Sequence, residues 1–162
     1  MMFSKILPVL CAVVLLSGCA TESALPDAPE DRLASAKTMT QGAEDTIIEL
    51  LPESAVENVR QLEEGTILRC GGGYRWTGNV RVELSAGVRA GEVRDDIARD
   101  AAGRGFTVDE DETITGSKRF ELVDARGVQL LLTKWVEGNA IDIDSASPCF
   151  ALPRDFDVPG EY

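Results

Sequence analysis

Apolar and polar side chains alternate most regularly over residues 74–84. Tyr74, Trp76, Val80, Val82 and Leu84 fall on even positions, and Arg75, Thr77, Asn79, Arg81 and Glu83 on odd ones. A period of two sends alternate side chains to opposite faces, so this stretch predicts a long, half-buried strand. Gly78 takes the one even position without a side chain, which marks a bulge or a close approach to the backbone. Upstream, residues 37–51 follow a helical period. Ala43, Ile47, Ile48, Leu50 and Leu51 cluster on one side, Glu44, Asp45 and Glu49 fall elsewhere, and Pro52 ends the run. Residues 54–64 fit either a short helix or a strand near 56–62. Glu64-Gly65 before Thr66–Cys70 suggests a hairpin at that point.

Gly91 to Gly105 predict a second helix. Val93, Ile97 and Ala101 form a narrow apolar face, Glu92 suits the first turn, and Gly105 suits a left-handed cap with Phe106 folding back. Phe106-Thr107-Val108 starts a strand that runs into Asp109–Glu112. Residues 118–124 make another, with Phe120 and Leu122 inward, and Ala125-Arg126-Gly127 form a turn. Residues 128–136 are apolar on both faces at Leu130, Leu131, Leu132 and Trp135, the mark of a central strand. After Gly138-Asn139, Ile141 and Ile143 alternate with Asp142 and Asp144. The order α, ββ, α, ββββ predicts an α+β two-layer sandwich: an antiparallel sheet with helices on one face.

The beginning of the chain follows a different pattern. Lys5 precedes the apolar run Ile6–Leu16, which ends at Leu16-Ser17-Gly18-Cys19. A basic residue, a short apolar core and a small-residue cleavage site make a secretory signal, too short to span a bilayer. Leu-Ser-Gly-Cys resembles the lipobox of bacterial lipoproteins, in which the cysteine receives a diacylglycerol and becomes the mature N-terminus. Two acyl chains suffice for stable membrane residence. The alternative is an ordinary signal with a chance cysteine. Residues 1–18 are thus read as the signal peptide. Residues 19–35, rich in Pro, Ala and acidic groups, are read as the lipidated Cys19 and a flexible tether. Residues 36–162 are read as one domain.

Charge narrows the partners. The 162 residues carry 16 basic and 28 acidic side chains, a net charge of −12. Loss of residues 1–18 removes Lys5 alone and gives −13. Such a chain repels nucleic acid and anionic headgroups. Histidine is absent, which excludes Ser-His-Asp and Cys-His catalysis and most zinc and copper sites. With Cys11 in the signal and Cys19 lipidated, Cys70 and Cys149 remain in an oxidising compartment and are expected to pair. The rival is two free buried thiols. No metal or cofactor site is expected.

Four constellations remain. Asp109–Glu112 could bind calcium but lacks the glycine and closing glutamate of an EF-hand loop, so a solvated loop is preferred. Asp142 and Asp144 share one strand face, roughly 7 Å apart, and could serve acid/base chemistry or a metal, but the wet side of an edge strand, blunted by charge, is preferred. Tyr74, Trp76, Phe120 and Trp135 could contact an apolar ligand, though their alternation favours plain core. Gly71-Gly72-Gly73 lacks the Lys-Ser/Thr of a phosphate loop and reads as a turn.

The lipobox, a helix ending at Pro52, Cys70 followed by Tyr74-Arg75-Trp76-Thr77-Gly78, and late hairpins leading to Cys149-Phe150-Ala151-Leu152 together resemble the LppA-like mycobacterial group of small actinobacterial lipoproteins. The resemblance covers most of residues 40–152. It implies a two-layer domain on the outer face of the cytoplasmic membrane and no established activity. The expected function is a membrane-anchored, extracytoplasmic, non-catalytic binding or structural module with an unidentified envelope partner. Its alternatives are a carrier of a small apolar or lipid ligand, and an enzyme working with carboxylates alone.

Overall fold

The structure, a computed structural model, describes residues 26–162. The signal segment and Cys19 lie outside the described residues. Helix α1 spans Pro29–Ile48, eight residues earlier than the apolar period suggests. Residues 29–35 are therefore helix and not tether. Pro29 stands at the first turn, where its missing N–H costs nothing, and Glu30 and Asp31 suit the positive end of the helix dipole. What holds this early part is tertiary packing: Leu33 and Ala36 are buried against Trp76 and Phe150.

Strands β1 (Val56–Gln61), β2 (Thr66–Cys70) and β3 (Gly73–Leu84) follow, then α2 (Ala90–Ala101) and strands β4 (Phe106–Glu112), β5 (Lys118–Asp124), β6 (Gln129–Lys134) and β7 (Ala140–Ala146). Three strands, not two, precede α2. All pairings are antiparallel, in a seven-stranded sheet of order β1-β3-β7-β6-β5-β4, with β2 also on β3.

Four expectations are corrected. First, β1 and β2 do not form a hairpin with each other. They run end to end along one edge of β3, β1 opposite its last residues and β2 opposite its first. The chain jogs at Gly65 because Trp76 lies there, and a Cβ at Gly65 would overlap its indole. The hairpin is β2–β3, turned by Gly71 and Gly72, both with positive φ. Second, α2 ends at Ala101. One tight turn to Arg104 then leads to Gly105 at φ +89°. Third, Asp109–Glu112 form part of β4 and pair with Glu121 to Lys118, so they are not a loop. Fourth, β7 is an inner strand between β3 and β6, so Asp142 and Asp144 are not on an edge. The register runs without interruption through Gly78, which rules out a bulge there. A side chain at Gly78 would overlap the Trp76 ring.

Both helices cover the same sheet face. Ala43 and Ile47 of α1 and Ile97, Ala98 and Ala101 of α2 share one core with Val80, Val82, Leu122, Leu130, Leu132, Ile141 and Ile143. A second, smaller core surrounds Trp76. The other sheet face carries no helix among the described residues.

Candidate functional site

The molecule has two unlike ends. Leu33 and Ala36, near the start of α1, cluster with Trp76 near the start of β3, while Gln41 and Glu44, farther along α1, hydrogen-bond to Leu62 and Gln61, which lie beside Asn79 and Val80 farther along β3. Helix and strand therefore run the same way. A 20-residue helix covers roughly 30 Å. The Leu84 amide bonds the Asn139 carbonyl at 2.9 Å, so the β6–β7 hairpin tip lies at the far end from the start of α1. The β4–β5 tip lies beside it, since Arg119 pairs with Thr133.

At the Trp76 end the chain is strapped down. Cys70 and Cys149 are joined in a disulfide with Cα atoms 6.1 Å apart. Tyr74 and Phe150 exchange backbone hydrogen bonds at 2.9 and 2.8 Å, and the Trp76 indole N–H donates to the Tyr162 carbonyl at 2.8 Å. Trp76 has no exposed surface. Phe120 is buried in the other core, and Tyr74 is half-buried under the Arg69 guanidinium. Trp135 lies just beyond β6 at the opposite end. These four aromatics thus occupy three places and do not line one cavity; Trp76 and Phe120 are core.

The open sheet face is built from the odd residues of β3 and the even residues of β7. Asp142 and Asp144 do share it, but each has its own partner. Arg81 donates through Nε to Asp142 at 2.8 Å, and Asn79 donates through Nδ2 to Asp144 at 2.9 Å. Arg81 also lies with its guanidinium 3.5 Å from the Trp135 ring centre, a cation–π stack. Farther across the face Arg119 grips Asp111 and holds its carboxyl below the usual carboxylate range. Cross-strand pairs of this kind fix register on a wet face.

Trp135 borders two hollows. One, of about 370 Å³, is walled by Glu57, Arg60, Arg81, Glu83 and Glu137, with Arg60 and Glu83 ion-paired. The other, of about 300 Å³, lies toward α2 and is lined by Arg94, Ser117, Lys118, Lys134, Trp135 and Val136.

One polar group escapes the reading of the apolar period. Glu44 is fully buried between α1 and the sheet. Its carboxylate accepts from the Ser145 hydroxyl and, at 2.7 Å, from Gln61 Nε2. Burial raises its pKa above the ordinary carboxylate value, and the two hydrogen bonds offset part of that rise. Leu33, Ala36, Thr40, Ala43, Glu44 and Ile47 form one stripe at helical spacing. Starting that stripe at Leu33 exposes Glu44 as inward; starting it at Lys37 does not.

Among the described residues no group of three or more His, Cys, Asp or Glu side chains could hold a metal ion. No described helix is long and apolar enough to cross a membrane.

No family model and no curated protein matches the chain. Among solved structures it is distantly similar to a DUF4853 family protein from the actinobacterium Actinomyces odontolyticus. The identity is 14%, the match covers 76% of each chain, and the TM-score is 0.40.

Proposed function

We propose that this chain is a lipid-anchored, extracytoplasmic protein of the LppA-like lipoprotein kind, and that its domain is a non-catalytic binding module of the cell envelope. The signal pattern and Cys19 support the anchor. The observation that carries the binding role is the polarity of the domain. α1, the first element among the described residues, starts at the Trp76 end, and both hollows beside Trp135 lie at the other end. A lipid at Cys19 would thus hold the strapped end toward the membrane and present the Trp135 end away from it, to a wall component or an envelope protein. The carboxylates best placed for chemistry, Asp142 and Asp144, are each committed to a partner, which supports binding over catalysis.

The test is metabolic labelling of the full chain with radioactive palmitate in a bacterial host. The chain should take up label and fractionate with membranes, and Cys19→Ala should lose both. Label retained by Cys19→Ala, or absent from the unaltered chain, overturns the anchor. Hydrolysis of envelope material that disappears in Asp144→Asn overturns the non-catalytic reading.

A further inference from the structure

We propose that the hollow between the two hairpin tips and α2 binds a phosphate group. Three of the six residues that line it are cationic, Arg94, Lys118 and Lys134, and none is acidic. That local sign is opposite to the net −12 of the chain. Charges farther away than the Debye length, about 8 Å at physiological salt, are largely screened, so the side chains at the hollow govern a group that enters it. The acidic groups in ion-pair contact with these cations are Asp95 and Glu110, and Glu112 stands opposite Lys118 on β4, so Lys134 is the cation of the hollow without an acidic contact among the described residues.

The donors are held in place before any ligand arrives. The Arg94 side chain is only 11% exposed. Its Nε and Nη2 donate to Asp95 at 2.9 and 2.7 Å, and its Nη1 donates to the Lys118 carbonyl at 3.0 Å. A guanidinium has five N–H donors, so two remain for a ligand. The Lys118 ammonium sits 3.1 Å from Glu110 and 4.6 Å over the Phe120 ring. Lys134 has no ion pair among the described residues, and Ser117 adds a hydroxyl. A fixed guanidinium, two ammonium groups and a hydroxyl suit the several acceptor oxygens of a phosphate. At about 300 Å³ the hollow is at the small end of ligand sites and suits one such group, free or carried on a larger molecule. Val136 and Ile114, exposed at the two hairpin tips, offer apolar contacts to a carrier of that group. The hollow stands independently of the anchor. Only the source rests on the function proposed above, by which the phosphate comes from a molecule away from the anchoring membrane.

Tryptophan emission of the full chain in a neutral detergent reports on the site, because Trp135 lines the hollow and Trp76 is buried. Inorganic phosphate should change the emission saturably, and sodium chloride at equal ionic strength should not. Lys134→Glu, at an exposed position, should raise the half-saturating concentration by about tenfold or more. Arg94→Lys should weaken binding as well, with the fold checked by circular dichroism. No saturable response to either inorganic phosphate or phosphatidylglycerol micelles, or an unchanged response in Lys134→Glu, overturns the site. A response confined to mixed micelles carrying phosphatidylglycerol keeps the chemistry but overturns the assigned source.

Discussion

The two tryptophans of this chain belong to opposite regimes. Trp76 sits in a closed end, under α1 and residues 147–162, with two glycines making room for its ring. Trp135 sits on an open end, stacked on Arg81 and bordering two hollows. Their positions along their strands account for the difference. Trp76 is early in a twelve-residue strand with partners on both edges, so its side chain is committed to the covered face. Trp135 comes after the last residue of β6, where pairing gives way to a hairpin and the covered face ends. An aromatic residue contributes to stability where elements converge and becomes a surface feature where they run out.

Replacing Trp76 with Ala should separate the two ends most sharply. It empties a large fully buried volume, which typically costs about 3–5 kcal/mol. Urea unfolding should show that loss, with the strap at residues 147–162 loosened. A cost below about 1 kcal/mol would mean that the Trp76 end is not a core. Removing the disulfide in a Cys70→Ala, Cys149→Ala double variant should cost about 2–4 kcal/mol, since the bond closes a loop with a sequence separation of 79. Amide exchange should rise chiefly in residues 147–162 and leave the Trp135 end unchanged. An even rise throughout would dissolve the distinction.

Glu44 lies between these regimes, and its effect varies with pH. Its pKa is raised in the folded protein, so the folded state binds its proton more tightly than the unfolded state does. The resulting stabilisation is complete below the ordinary carboxylate range and is lost as pH rises through the raised value. Above that value the buried charge weighs on α1 in full. Glu44→Gln keeps the shape and removes the titration. It should stabilise the protein by about 1 kcal/mol at pH 7 and by less as the pH falls. A gap that widens in acid would contradict the assigned direction.

Much of the sheet was legible in the sequence because its signal is local. The alternation at 74–84 and at 141–144 is a property of neighbouring residues, and the strands lie there. Gly105 announced its own left-handed cap. What was not legible depends on contacts distant in sequence. Leu33 belongs to α1 because Trp76 and Phe150 cover it, and Pro-rich acidic surroundings conceal that. β1 and β2 share an edge of β3 because Gly65 yields to an indole on another strand. The basic hollow was hidden by a sum: counting charges over the whole chain gives −12, whereas Arg94, Lys118 and Lys134 come from three elements that only the fold brings together.

The smallest effect, a coupling between two side chains, tests the open end itself. Trp135→Ala should cost about 1–2 kcal/mol, well below Trp76→Ala, because a half-buried cation–π contact is worth between about 0.5 and 2 kcal/mol. Arg81→Met should cost somewhat more, because Asp142, which is 7% exposed, then loses its charged partner. In a double-mutant cycle the two changes should be coupled by about 0.5–1 kcal/mol, the direct measure of the stack. Acrylamide should quench Trp135 in the unaltered protein and leave the Trp76 emission that survives in Trp135→Ala protected. Suppose instead that Trp135→Ala costs as much as Trp76→Ala. Then Trp135 is core in energetic terms, the hollows beside it are packing defects, and the Trp135 end loses its claim to be a binding surface.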